Sequence, residues 1–264
     1  MNKVFGDYDQ AELDRQYEQR TFVPHADEII QRWGAMSDEV RSRIGEPQTL
    51  AYGKTPVEEL DVYGARKRQV VAFVHGGAWK RMNKRPNAFP AETFINAGAT
   101  YVAIGFGLLP SITLPEMAAQ VVRALNFLRE ELKPKELILI GHSSGAHLAA
   151  CALTRLEFPK SALLVSGVYD LLPVRLSARN EYVRIDEQLE HEYSPIRHVG
   201  RITSPVTVAW GESEGAEFLR QSKEFAQKLG APTLVGGGLN HFEMIETLAD
   251  PRSPLARAAL TMLR

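Results

Sequence analysis

Gly141-His142-Ser143-Ser144-Gly145 places a serine between two glycines, in the spacing of a nucleophile held on a sharp turn. The apolar run Leu137-Ile138-Leu139-Ile140 before it reads as a buried strand, and Ser144 to Leu153 reads as a helix of mostly small residues. A strand, a tight turn and a helix around G-x-S-x-G lift a serine hydroxyl clear of a sheet edge. The glycines at both ends let the backbone turn and let the helix lie close to the strand. The chemistry implied is attack of the Ser143 hydroxyl on an acyl carbon.

A free hydroxyl is a weak nucleophile near neutral pH, so Ser143 needs a general base. Of the seven histidines, His241 is best placed, in a loop after Thr233-Leu234-Val235 and just before a helical pattern. Parallel strands bring such loops to the sheet edge where the Ser143 turn also ends. His142 and His147 sit too near that turn to reach back easily, and read as packing or supporting residues. The imidazole in turn needs a carboxylate to fix its tautomer. Glu214 and Glu212 follow the apolar run Val206 to Trp210, and Asp170 follows another such run. All three are candidates; Glu214 leads because the residues before it give the loop room to curve toward His241. His75-Gly76-Gly77-Ala78-Trp79 follows a run ending at Val74. The N–H groups of Gly76 and Gly77, with that of Ser144, are candidates for an oxyanion hole.

These groups must be carried by alternating strands and helices. Val70 to Val74, Tyr101 to Ile104, Leu137 to Ile140, Ala162 to Val165 and Val206 to Trp210 are short apolar runs without polar alternation, as expected of strands covered on both faces. Helical patterns lie at Leu114 to Glu131, Ala146 to Leu156 and Glu217 to Leu229. This order predicts an α/β fold with a mostly parallel central sheet flanked by helices. Before it, Asp9 to Gln19 reads as a short helix and Asp27 to Ile44 as a longer one, with Ile29, Ile30, Trp33, Met36 and Val40 at helical spacing. The division expected is a helical N-terminal extension, residues 1–50, packed near the mouth of the site, and a catalytic domain, residues 51–264. Pro47 to Pro56 reads as a connecting loop, and Met244 to Leu263 as helices interrupted near Pro251 and Pro254.

Composition narrows the classes. A net charge of -1 provides no field for nucleic acid or an anionic membrane, and no basic cluster is interleaved with aromatics. Cys151 is the single cysteine, so no intrachain disulfide can form, and it reads as packing. No apolar run reaches the roughly 18 residues of a membrane span and the N-terminus has no signal core, which points to a cytoplasmic protein. H-E-x-x-H is absent, and neither a metal nor a cofactor is expected. The expected partner is a small-molecule substrate. The N-terminal helices fit equally a dock on their own sheet or on a neighbour's, leaving a homodimer open.

The motifs together resemble those of the arylformamidases, or kynurenine formamidases, within the α/β-hydrolase superfamily. The likeness runs through His75-Gly76-Gly77-Ala78-Trp79, Gly141-His142-Ser143-Ser144-Gly145, Gly211-Glu212-Ser213-Glu214 with Glu217 to Ser222, and His241-Phe242, and it includes Tyr17 to Arg20. It implies a triad of Ser143, Glu214 and His241, in the chain order serine, acid, histidine. In that family the acid is commonly aspartate, so Glu214 departs by one methylene. The implied reaction is removal of a formyl group from an aromatic amine of the N-formylkynurenine type. Trp79 and Trp33 are candidate walls for the aryl side, with core packing the equal alternative. The same groups would serve a carboxylesterase, an amidase or a carbamate hydrolase. A noncatalytic binding scaffold is the reading from another class, and it has no need of an aligned base and oxyanion donors.

Overall fold

A computed structural model describes residues 3–264. Eight strands form one sheet: β1 (Gln48–Ala51), β2 (Glu59–Tyr63), β3 (Gln69–Val74), β4 (Thr100–Ile104), β5 (Glu136–His142), β6 (Ser161–Val165), β7 (Val206–Gly211) and β8 (Thr233–Gly236). Their spatial order is β1-β2-β4-β3-β5-β6-β7-β8. The pairs β1–β2 and β2–β4 are antiparallel, and every pair from β4 to β8 is parallel. The helices are α1 (Gln10–Gln16), α2 (Ala26–Ile44), α3 (Ala91–Asn96), α4 (Leu114–Glu131), α5 (Ser144–Leu153), α6 (Leu172–Leu176), α7 (Asn180–Val183), α8 (Glu187–Glu192), α9 (Ala216–Leu229), α10 (His241–Glu246) and α11 (Pro254–Thr261). The protein is an α/β fold built on a mostly parallel sheet, as the alternation predicts.

Period-2 geometry explains the two cores. Val70, Ala72 and Val74 of β3 point to one face, with Leu137 and Leu139 of β5, and meet α4, α5 and α9. Val71 and Phe73, with Ile138 and Ile140, point to the other face and meet α2, α3, α10 and α11. Strands covered on both sides have no use for polar alternation, which is why these runs read as continuously apolar.

The N-terminal segment bridges the layers. Leu13 and Tyr17 join the first core, while Val23, Ala26, Ile29 and Trp33 join the second. The chain between them therefore crosses the sheet edge. Buried polar bonds fix the crossing: the Gln221 amide donates to the Tyr17 hydroxyl at 2.8 Å, and the Glu217 N–H donates to the Gln16 side chain at 3.1 Å.

Several expectations are corrected. The stretch Pro47 to Pro56 is not all loop, since it contains β1, a four-residue edge strand; β2, its partner, has no counterpart among the runs predicted as strands. Edge strand β1 is largely exposed and polar, so it carries no apolar run to read. The first helix stops at Gln16, followed by a single 3-10 turn at Gln19–Thr21. The helix after Ser143 runs Ser144–Leu153, as the reading of the turn has it, and does not extend to Leu156. No helix among the described residues is long and apolar enough to cross a membrane.

Candidate active site

The order of the strands creates the site before any side chain is considered. β3 and β5 are neighbours, yet β4 lies on one side of this pair and β6 on the other. Connections leave in opposite directions at this point, and a crevice opens outside the carboxyl ends of the strands. The loop 75–79 leaves β3 there and the Ser143 turn leaves β5, with Val74 in register with Gly141.

Ser143 occupies φ 56°, ψ -125°, a strained conformation for a residue with a Cβ. Close packing around it holds that geometry. A Cβ on Gly145 would stand 2.2 Å from the Val74 carbonyl oxygen, and one on Gly76 would stand 3.0 Å from the Ser143 Cβ. Both glycines are required by contact, and neither has a positive φ.

His241 is the first residue of α10, and a capping box fixes it. The Asn240 side chain accepts the N–H groups of Phe242 and Glu243, at 2.9 and 3.0 Å, while the Glu243 carboxylate accepts the Asn240 N–H. His241 Nε2 lies 3.0 Å from Ser143 Oγ, and Nδ1 lies 2.9 Å from Glu214 Oε2. A carboxylate only accepts, so Nδ1 carries the proton and Nε2 is left to accept from the serine. Phe218, Phe242 and His142 pack round the ring, with centroids 4.8, 5.2 and 5.0 Å away. His142 Nε2 donates to the His241 carbonyl at 3.0 Å, and burial holds that imidazole neutral, well below its ordinary pKa.

Of the three acid candidates, only Glu214 meets His241. Its N–H donates to the Gly211 carbonyl in the turn after β7, and the side chain folds back so that Oε1 accepts the Gly211 N–H at 2.6 Å. The same oxygen accepts the Ser166 hydroxyl, also at 2.6 Å. With Oε1 held by two donors, Oε2 is left for the imidazole. The extra methylene is thus absorbed by a side chain doubling back over its own turn. Glu212 is exposed and accepts the Gly238 N–H, and Asp170 accepts the Leu172 N–H. Ser166 was not among the sequence candidates. It is one residue past β6, where nothing in the local pattern points to a role.

The candidate oxyanion groups separate. Gly77, at φ 116°, and Ala78 line the cavity beside Ser143, whereas Gly76 lies under the turn and does not. Among the described residues no protein acceptor takes the Gly77 or Ala78 N–H. The Ser144 N–H begins α5 and has no intrahelical partner. The Ser144 hydroxyl accepts the Trp79 N–H at 3.1 Å, tying the loop to the helix. Trp79 itself is 1% exposed and does not line the cavity. Its indole donates to His147 Nδ1 at 3.1 Å, and His147 Nε2 donates to the Tyr193 carbonyl. Trp79 is therefore a core residue, correcting its candidacy as a wall. Trp33 does line the cavity, with its indole bonded to Glu246. Cys151 is buried, its thiol pushed up to about 12 by burial, a packing residue rather than a nucleophile.

The cavity above Ser143 holds about 570 Å³. Tyr17, Trp33, Tyr182, Phe218 and Phe242 give it aromatic walls, and Glu18, Gln19 and Arg20 of the N-terminal crossing complete its rim.

Known proteins resemble this chain along most of its length. The family model described as BD-FAE matches residues 60–159. The kynurenine formamidase of Danio rerio is 30% identical over 280 residues, covering 96% of this chain and 96% of that protein. That of Salmo salar is 29% identical, covering 97% of each. A crystal structure from Silicibacter sp. superposes with a TM-score of 0.85 at 25% identity, covering 95% of this chain and 99% of that one. With a triad-like relay at the crossover of a mostly parallel sheet and a relative matched along nearly its whole length, this chain is a hydrolase and belongs to the kynurenine formamidase family of the α/β-hydrolase superfamily.

Proposed function

We propose that this enzyme removes a formyl group from an aromatic amine, with N-formylkynurenine as the model substrate, through an acyl-enzyme on Ser143. The observation that carries the reading is the continuous relay of Ser143, His241 and Glu214, with links of 3.0 and 2.9 Å, opening on an aromatic-walled cavity. In the first half-reaction His241 Nε2 takes the proton of Ser143 as Oγ bonds to the formyl carbon. The N–H groups of Gly77, Ala78 and Ser144 receive the developing oxyanion. Collapse breaks the C–N bond, and the His241 imidazolium returns its proton to the leaving amine. Water, deprotonated by the same imidazole, then attacks the formyl-enzyme; the C–Oγ bond breaks, the imidazolium returns its proton to Ser143, and formate leaves. Glu214 stabilises the imidazolium in both halves without taking its proton.

Family membership and the aromatic walls favour an aryl formamide over a general ester. Steady-state comparison of N-formylkynurenine, a short p-nitrophenyl ester and an aryl carbamate tests this. A preference for the formamide above about 100-fold in kcat/KM, some 2.7 kcal/mol, is the expected result. Comparable efficiency on all three would make the enzyme a broad esterase instead.

A further inference from the structure

Three cations at the mouth of the cavity have no anionic partner. Lys80, Arg81 and Arg179 line it, and among the described residues no carboxylate oxygen comes within 4.0 Å of any of them. Arg20, on the same rim, is committed to Asp27 at 2.8 Å. Of the acidic lining residues, Asp14 accepts from Gln10 and from the Ala178 N–H and Glu18 accepts the Arg20 N–H, while Glu18 and Glu181 act on Lys80 only from beyond ion-pair distance.

Two of the cations are positioned by the catalytic loop itself. The N–H groups of Lys80 and Arg81 both donate to the Gly77 carbonyl, at 3.1 and 2.9 Å, so their backbones continue the turn that presents Gly77 and Ala78 to Ser143. The Lys80 ammonium lies 3.9 Å from the centre of the Tyr182 ring. The half-buried Arg179 guanidinium lies 5.3 Å from the Tyr17 ring and 5.9 Å from the Trp79 ring, and it donates to the Tyr17 carbonyl. Aromatic contact of this kind holds a guanidinium while leaving most of its donor fork unused, a geometry suited to two-point recognition of a carboxylate. Burial, then the charges of Arg81 and Arg179, lowers the Lys80 pKa from its ordinary value, outweighing the opposing pull of Glu18 and Glu181.

Resting on the hydrolytic reading of the Ser143 site, we propose that Arg179, Lys80 and Arg81 form a subsite for a substrate carboxylate, so that the enzyme selects acylated aryl compounds bearing a carboxylate away from the scissile bond. Two substrate pairs test this: N-formylkynurenine against its decarboxylated analogue N-formylkynuramine, and O-acetyltyrosine against O-acetyltyramine. The wild type is expected to favour the carboxylate-bearing member by about tenfold or more in kcat/KM, the scale of one charge-assisted hydrogen bond. In Arg179→Gln that ratio should fall toward one, with partial losses in Lys80→Gln and Arg81→Gln. Both members of a pair are measured on the same protein, so a general loss of folding or of Ser143 reactivity cancels in the ratio. Equal efficiency within the pairs that are cleaved, or a preference untouched in all three variants, overturns the subsite. Inert formamides with discriminated esters would remove the formamide assignment and leave the subsite standing. Formamides cleaved alike would do the reverse, and inertness toward all four compounds would sink both.

Discussion

At the scale of single residues, the relay gives graded expectations. Ser143→Ala should lose at least about 10⁴-fold in kcat, because nothing else in reach replaces the hydroxyl. Labelling by a serine-directed organophosphonate, mapped by mass spectrometry, should fall on Ser143 and vanish in that variant. Glu214→Gln should cost on the order of 10²- to 10⁴-fold, because an amide NH₂ facing Nδ1 favours the wrong tautomer. Glu212→Gln and Asp170→Asn, whose carboxylates meet only backbone N–H groups elsewhere, should stay within a few-fold of wild type. Turnover unchanged in Glu214→Gln but lost in either of the others would reassign the acid. Ser166→Ala removes one of the two donors on Glu214 Oε1 and should lower kcat about tenfold, the scale of a hydrogen bond to a charged group. A variant as fast as wild type would show that the Gly211 N–H alone orients the carboxylate.

At the scale of elements, the turn and helix α5 depend on the absence of side chains. Gly145→Ala would drive a Cβ to within 2.2 and 2.4 Å of the Val74 and His75 carbonyl oxygens, and neither strand end can yield without moving the loop 75–79. We expect a loss of roughly 3 kcal/mol or more, read as a lowered urea midpoint. A Gly145→Ala protein of wild-type stability would mean that the β3 end is far more pliant than its packing implies. Gly34, in the middle of α2, has nothing within 4 Å of its would-be Cβ. Alanine there should leave stability unchanged or raise it by about 1 kcal/mol, since glycine costs roughly that much in a helix interior.

At the scale of the whole molecule, buried histidines couple stability to pH. His75 and His147 are each lowered from 6.5 to about 4 by burial, and His142 is lowered well below its ordinary value by burial and by the nearby His241. In the unfolded chain these groups take up protons as the pH falls through 6.5, while the folded protein keeps them neutral. The unfolded state therefore binds more protons between the two values, and stability drops as the pH falls. His75 and His147 should each remove roughly 2 kcal/mol on going from pH 7.5 to pH 5, with little change above pH 7. Urea denaturation at several pH values measures this, and a flat profile down to pH 5 would contradict the burial of these rings as neutral groups.

The chemistry-bearing positions were legible because each rests on a local constraint. G-x-S-x-G needs small residues where a helix meets a strand, and Asn240-His241-Phe242-Glu243 writes its capping box within four residues. Both covered faces of β3, β5 and β6 leave unbroken apolar runs, so the parallel sheet could be read as well. What the sequence left open was decided by contacts between distant segments. The sequence put Glu214 ahead of Glu212 and Asp170, but only folding shows how it is held, because that depends on a side chain turning back to meet Ser166 and Gly211. Only folding could bury Trp79 against His147 while leaving Trp33 at the cavity, since for each the sequence left wall and core packing as equal alternatives. The reach of residues 17–20 over the sheet edge was likewise set by burial of Tyr17 and Trp33 on opposite faces. Periodicity reports which side of an element is apolar; which partner covers it is fixed by the free energy of the assembled core.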